Sequence, residues 1–430
     1  MIKMTLQLPK GTRDLRPEEA IVKNKIVATL KNVFEMYGYN PLETPAFERY
    51  DILASKYAGG AEILKETFKF EDQGKRELCL RYDLTVPMCR FVGMNPNIKL
   101  PFKRYAIGEV FRDGPVEKAR YRQFTQCDVD IVGITGMTAD AEIITLTSRA
   151  FKKLGFDVLI KVNNRKLLND LLLNSGVKKG KLETVLLSID KLEKFGLETV
   201  KKELKQKKID NKAVNNIIKI INIKGTNNDK INKIKKLLKD SEGVDEVIEL
   251  ISLLKILNVN AEFDISLARG LTYYTGTVTE VYLKNSKVKT SVCAGGRYDK
   301  IIGSFLGRGD YPAVGISFGL DRIYDAYVEK SETGQKTVTR VYIIPINTFK
   351  ESLKIAEELR NENVNVDIDL TGKGPSKNLQ YANSLGIPYV LFVGKEELKQ
   401  GKVKLKDMNS GKEKLMSAED LVVFLQKNVD

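Results

Sequence analysis

The strongest constraint on the fold of this 430-residue chain is an interruption. Strand-like runs separated by polar turns occur at Glu77–Tyr82, Phe102–Arg112 and Phe124–Val132, and recur at Thr277–Leu283 and Ser291–Ala294. Runs of this kind specify a largely antiparallel sheet. Between about 163 and 256 they give way to lysine-rich amphipathic helices, for example Thr199–Lys207, Lys230–Leu238 and Val244–Leu257, and the sheet pattern resumes at Ala261. A helical module inserted into a sheet domain is the simplest reading. Residues 161–240 carry 20 lysines and one arginine against nine acidic residues, a net of +12 out of +15 for the whole chain. Such a surface suits a polyanion such as RNA. Lysines without interleaved aromatics also describe a plain solvated helical face, and the sequence leaves both readings open.

Outside the block the punctuation is clear. Asp14 to Glu19, with Pro17 in the first turn and acids at the positive end of the dipole, predicts a helix start. Val22, Ile26, Leu30, Val33, Phe34 and Tyr37 keep the helical period, and Gly38 stops it. Tyr39 to Phe47 reads as extended, and Pro41 and Pro45 make it an edge or interface strand. Asp140 to Leu154 reads as a helix. From Arg340 the chain alternates: strands at Val341–Ile346, Val364–Leu370, Tyr389–Val393 and Val403–Lys406, helices at Lys350–Glu362, Ser376–Leu385 and Ser417–Leu425. That alternation indicates a compact α/β domain. The expected fold is an α+β domain built on an antiparallel sheet with flanking helices, a helical insertion, and a C-terminal α/β domain. Its boundaries fall at 1–162 and 259–330 for the core, 163–258 for the insertion, 331–339 for a linker and 340–430 for the last domain.

The chemistry concentrates between Arg104 and Asp130. Arg104, Arg112, Arg120 and Arg122 lie among Tyr105, Phe111, Tyr121 and Phe124, and the acceptors Gln126, Asp128 and Asp130 follow. Arginine forks bind phosphate and flat aromatics stack on bases, so the segment suits a nucleotide triphosphate, unless its arginines merely solvate one face of a hairpin. The chain contains no histidine. That excludes Ser-His-Asp and Cys-His catalysis and HExxH zinc sites. Cys79, Cys89, Cys127 and Cys293 are scattered, with no CxxC pair, so structural zinc and a disulfide framework are not expected. What remains suits phosphoryl-type transfer, which runs on positioning and charge neutralisation. Scattered cysteines and the lack of an apolar run of membrane-spanning length predict a cytoplasmic protein without membrane association.

Three separated segments resemble motifs 1, 2 and 3 of the class II aminoacyl-tRNA synthetases: Tyr37-Gly38-Tyr39 through Thr44-Pro45; Phe111-Arg112 through Arg120-Tyr121-Arg122-Gln123-Phe124; and Ala313 to Arg322. Leu267-Ala268-Arg269-Gly270-Leu271-Thr272-Tyr273-Tyr274-Thr275-Gly276 and Ala294-Gly295-Gly296-Arg297-Tyr298-Asp299 are similar to the two signature peptides of the histidyl-tRNA synthetase family, and Lys10-Gly11-Thr12-Arg13-Asp14 to its amino terminus. Asp367–Gly372 and Gln380–Gly386 resemble parts of its anticodon-binding domain, and the helical block falls where the family carries its insertion.

The resemblance implies a ligase that uses ATP with Mg²⁺ to make histidyl-adenylate and passes histidine to tRNA(His), working as a homodimer through motif 1. Asp83-Leu84-Thr85 would receive the amino group of L-histidine. Gln126, Asp130, Tyr273 and Tyr274 would line the amino-acid pocket, and Arg112 would bridge the histidine carboxylate and the ATP α-phosphate. Phe124 would stack on adenine, with Arg322 on its other side near the γ-phosphate. Arg120 would hold the triphosphate, and Arg269 would sit at the reacting phosphate. No protein residue is assigned as a metal ligand. Imidazole offers an N–H and a ring acceptor, so a selective pocket needs a carboxylate and a hydroxyl, which Asp130 and the two tyrosines can supply.

Gly295-Gly296 reads as a tight turn or as a close approach to a ligand. The family more often has Asp where Thr272 stands, and Glu where Gly114 stands, with Asp113 beside it. A catalytically dead relative, such as the regulatory subunit of ATP phosphoribosyltransferase, would be expected to lack the signatures and the C-terminal domain. An RNA-binding sensor of uncharged tRNA would bind tRNA without ATP chemistry. Removal of Asn164–Asn258 is expected to weaken tRNA charging far more than adenylate formation.

Overall fold

The computed structural model describes residues 6–57, 64–116, 121–270, 273–307, 309–330 and 336–427. Arg120, Thr272 and most of the expected linker lie outside them. Two compact units result: Met1–Arg13 with Ile26–Glu329, and Asp14–Lys25 with Lys330–Asp430. The first helix, Pro17–Met36, opens on proline with Glu18 and Glu19 in its first turn, and Gly38 follows it at a φ of +77°.

The large unit is built on an eight-stranded sheet. In chain order its strands are β1 (Asn40–Pro41), β5 (Phe102–Phe111), β6 (Gln123–Val132), β7 (Val158–Asn164), β8 (Ala261–Phe263), β9 (Thr277–Leu283), β10 (Cys293–Arg297) and β11 (Ala313–Gly319). Across the sheet they run β1-β5-β6-β11-β10-β9-β7-β8. Neighbours are antiparallel except at the two edges, where β1 pairs with β5 and β8 with β7 in parallel. A small sheet of β2 (Phe47–Arg49), β3 (Lys69–Glu71) and β4 (Glu77–Leu80) stands apart, with β4 central.

Side chains alternate across a strand, so register decides which residues meet. On β5, β6 and β11, Tyr105, Cys127 and Phe318 share one face. Phe318 packs at 5.5 Å from Phe34 and 5.7 Å from Phe151, ring to ring, on the flanking helices Pro17–Met36 and Thr138–Lys153. The other face carries Arg104, Gln126, Asp128, Asp130, Gly315 and Ser317.

Between β7 and β8 the chain forms helices with two cores. Leu168, Val185, Leu186, Leu204 and Ile217 centre one, and Leu171, Ile234, Val247 and Phe263 the other. Asn164 caps Arg165–Asn174 by accepting from the Lys166 and Leu167 amides, and Thr226 with Asp229 forms a capping box on Asn227–Leu237. The C-terminal unit has a five-stranded sheet, β13-β12-β14-β15-β16 (Val366–Ile368, Val341–Ile346, Tyr389–Gly394, Val403–Asp407, Glu413–Met416), covered by Phe349–Asn361, Pro375–Leu385 and Ala418–Lys427.

Two expectations change. The run Tyr39–Phe47 is not one strand: Asn40–Pro41 pairs at the sheet edge and pairing restarts in another sheet at Phe47, because prolines 41 and 45 each withhold a ladder donor. Gly295-Gly296 is not a turn but the interior of β10. Cβ atoms there would lie 2.1 Å from Gly315 O and 2.3 Å from Thr277 O, so the glycines let neighbouring strands close in, and Gly295 also lines the cavity described below.

Candidate active site

The polar face of β6 floors a cavity of about 490 Å³. Gln126, Asp128 and Asp130, two residues apart, point the same way. Asp130 is pinned hardest: Arg104, 1% exposed, faces its Oδ2 at 2.6 Å, and the Tyr298 hydroxyl donates to Oδ1. Arg104 also donates to Leu84 O at 3.2 Å. It is therefore a buried structural cation, which neither solvates a face of the hairpin nor lines the cavity. Gln126 Nε2 donates to Ser317 Oγ at 2.9 Å, and Ser317 bonds Asp128. Gln126 Oε1 and Asp128 Oδ1 remain buried without a hydrogen-bond partner. Burial pushes the Asp128 carboxyl up to about 7, against the pull of Arg104 and reinforced by Asp130. The floor thus offers two open acceptors to a ligand with N–H groups, since buried polar atoms are rarely left unpaired.

Asp83 and Thr85 form one wall. Asp83 Oδ1 accepts from the Thr85 and Val86 amides at 3.0 and 2.9 Å, fixing the carboxylate at the start of the helix Thr85–Met94. Tyr273 and Tyr274 form another, their ring centroids 4.8 Å apart. Tyr273 also meets Tyr298 edge-on at 6.4 Å. Desolvation raises the Tyr273 hydroxyl well above its ordinary value, keeping it a neutral donor.

Among the described residues two arginines line the cavity. Arg112 lies over Tyr82 at 4.3 Å and faces Phe124 at 4.9 Å. The Arg269 Nη1 pairs with Glu280, itself 9% exposed. Phe124 and Arg322 are outside the lining: Phe124 packs on Leu84, Ala106 and Val110, and Arg322 Nη1 donates to Ser291 O at 2.6 Å. Arg120 falls outside the described residues. Asp113 pairs with Arg122 at 3.1 Å.

Sequence reasoning named Asp128 only among the acceptors that follow the arginines and gave no site role to Tyr298, Ser317, Glu280 or Asp190; of these five, all but Glu280 line the cavity. Asp128 was legible, because Gln126-Cys127-Asp128-Val129-Asp130 alternates with a strand period and only one face can reach a ligand. Asp190 comes from the helical insertion and carries no local signal.

A sequence model of histidyl-tRNA synthetase matches residues 11–323, and one of the anticodon-binding domain matches 340–428. The chain is 44% identical over 415 residues to a histidine–tRNA ligase 1 of Bacillus cereus, covering 95% of this chain and 97% of that protein. With the histidine–tRNA ligase of Clostridium tetani it shares 38% over 431 residues, 97% of each. The crystal structure of histidyl-tRNA synthetase from Nostoc sp. PCC 7120 superposes with a TM-score of 0.88 at 30% identity, covering 99% of this chain and 100% of that one. An ATP phosphoribosyltransferase regulatory subunit/histidyl-tRNA synthetase from Bacillus halodurans C, 21% identical with a TM-score of 0.76, shares the fold. Fold and site together define the aminoacyl-tRNA synthetase class of ligases. Within it, the chain belongs to the histidyl-tRNA synthetase family.

Proposed function

We propose that the protein joins histidine to tRNA(His) in two steps. The histidine carboxylate attacks the ATP α-phosphorus, the bond to pyrophosphate breaks, and histidyl-adenylate forms. A terminal ribose hydroxyl of tRNA(His) then attacks the activated carbonyl and AMP departs. One observation carries the reading: a single cavity has an acceptor-rich floor and two arginines in its lining. The floor suits the N–H groups of histidine, and the arginines suit its carboxylate and the phosphate it attacks.

In this reading Asp83, Thr85 and Gln126 receive the ammonium group. Asp130, oriented by Arg104 and Tyr298, takes an imidazole N–H, with Tyr273 and Tyr274 closing the ring's other side. Arg112 bridges carboxylate and α-phosphate, and Phe124 stacks on adenine, with Arg322 on the other side of the base near the γ-phosphate. Arg120 holds the triphosphate. Arg269 meets the charge that builds on the α-phosphate oxygens, where a preorganised guanidinium acts on the transition state more than on the ground state. Mg²⁺ enters with ATP as part of the nucleotide substrate. The C-terminal unit reads the anticodon, the protein works as a cytoplasmic homodimer, and the basic insertion contacts RNA.

The test is histidine-dependent exchange of pyrophosphate into ATP on purified protein. Histidine alone among the standard amino acids should stimulate it. Silence with histidine at saturating ATP overturns the synthetase reading in favour of a regulatory relative.

A further inference from the structure

Three separate contacts tie the helical insertion to the short segment that carries Arg269. Ala268 is buried inside the insertion's own core cluster with Val185, Leu186 and Ile189 of the helix Leu182–Ile189. The residue that ends this helix, Asp190, accepts the Gly270 N–H. A Cβ at 270 would lie 2.6 Å from Asp190 Oδ2, so only glycine lets the carboxylate seat there. Further along the turn, Glu193 accepts a hydrogen bond from the Tyr282 hydroxyl at 2.6 Å. The same hydroxyl reaches Glu280, the carboxylate that holds Arg269 Nη1. Lys161, 3.1 Å from Asp264 and 3.9 Å from Glu193, offsets part of this negative charge.

Arg269 is bracketed by these contacts. The backbone on either side of it is held by the insertion, through Ala268 and Gly270. Its side chain is held by Glu280, whose second oxygen shares the single Tyr282 hydroxyl proton with Glu193 of the insertion. Asp190, Arg269 and Gly270 line the same cavity. A guanidinium stabilises a developing charge only when it is held in place beforehand, and its supporting shell decides how well.

We infer that Asp190 and Glu193 are positioning residues for Arg269, which makes the insertion a wall of the catalytic cavity whose seating sets the adenylation rate. The inference rests on the reading of Arg269 at the reacting phosphate. It revises the expectation for the deletion of Asn164–Asn258: losing the core around Ala268 lowers adenylate formation as well as tRNA charging.

The experiment uses the full-length protein and single-turnover adenylate formation at saturating histidine and ATP. Asp190→Ala and Glu193→Ala should each slow the step about tenfold, within the loss that a small misplacement of a catalytic group produces. KM for histidine and ATP should move by no more than about twofold, because Arg269 acts in the transition state. Asp190→Asn should recover most of the rate, since its amide oxygen still accepts the Gly270 N–H. The deciding measurement repeats Asp190→Ala and Glu193→Ala in an Arg269→Ala background, where neither should slow the enzyme further. An equal slowing in both backgrounds, or none in the parent, overturns the inference. An Arg269→Ala protein that forms adenylate at the parent's rate overturns the reading of Arg269 itself, and this inference with it.

Discussion

Gly315 stands opposite Asp130 across β6 and β11, and a Cβ at 315 would lie 1.8 Å from Asp130 Oδ1. The carboxylate occupies the space of a missing side chain. Gly315→Ala must therefore displace Asp130 and loosen its contacts with Arg104 and Tyr298. Breaking a buried ion pair costs about 3–5 kcal/mol. Denaturant unfolding should show a loss of that order, and histidine KM should rise more than ATP KM. A variant of unchanged stability and histidine KM would mean that β11 shifts to make room.

Arg269→Lys tests the planar fork. Lysine keeps the charge but not the bidentate geometry, so it should fail nearly as badly as Arg269→Ala. The expected loss is on the order of 10²–10⁴ in the adenylation rate, with smaller changes in substrate binding. A lysine variant within about tenfold of the parent, roughly 1.4 kcal/mol, would reduce Arg269 to a binding or packing role.

Asp128 predicts a pH signature. Burial raises its carboxyl to about 7 in the folded protein, against about 3.9 unfolded. The native state therefore holds a proton that the unfolded chain has released between those values, so the contribution of Asp128 to stability is greatest in acid and is lost as pH rises toward 7. Asp128→Asn removes that dependence. Urea unfolding should show the variant gaining on the parent between about pH 4 and pH 7 and no further above it. Parallel profiles for the two proteins would place the Asp128 proton elsewhere.

Lys202 and Lys205, exposed on Leu197–Gln206, test the RNA reading of the basic block without disturbing the cavity. If each meets a phosphate, replacing both with glutamine should flatten the log–log salt dependence of tRNA binding by about 0.7–0.9 per lysine. Adenylate formation should not change. An unchanged slope would assign these lysines to solvent.

The dimer reading predicts a stable dimer at micromolar concentration by sedimentation. The two-residue β1 sits at the sheet edge, and Met36 and Phe47 on either side of that segment are 55% and 54% exposed. A monomer at that concentration would require another role for this edge.

Much of the architecture was readable because it rests on local periodicity. Thr277–Leu283 and Val341–Ile346 form the strands expected, and the insertion's helices fall within a few residues of their predicted ends. Ala261, where the sheet pattern was expected to resume, does open a short strand, whereas Glu413–Met416 was not readable, because it is a strand only through the ladder its neighbour supplies. At the cavity, Arg269, Tyr273 and Tyr274 from one signature peptide meet Ala294, Gly295 and Tyr298 from the other. Two kinds of information were hidden. Arg104 is identical in sequence to a phosphate-binding arginine, and only its burial against Asp130 distinguishes it. Asp190 lies 79 positions from Arg269 in the chain, and nothing in its local sequence reports that the turn folds back onto Gly270.

The strand order has a consequence for the growing polypeptide. β6 and β7 follow one another in sequence, yet β11, β10 and β9 lie between them in the sheet, and all three come after the insertion. On the ribosome, the hairpin β5–β6 and its acid row must wait for more than 150 further residues before the middle of the sheet arrives. Arg104 and Asp130 can pair early, but the glycine strand that covers them is among the last pieces of the large unit to be made. Pairings this distant in sequence close slowly, and half-built sheets with open edges are the species that aggregate. The helical block, whose contacts are mostly local, can fold during that wait. It then presents a nearly finished surface on which the segment carrying Ala268 and Arg269 docks as it emerges.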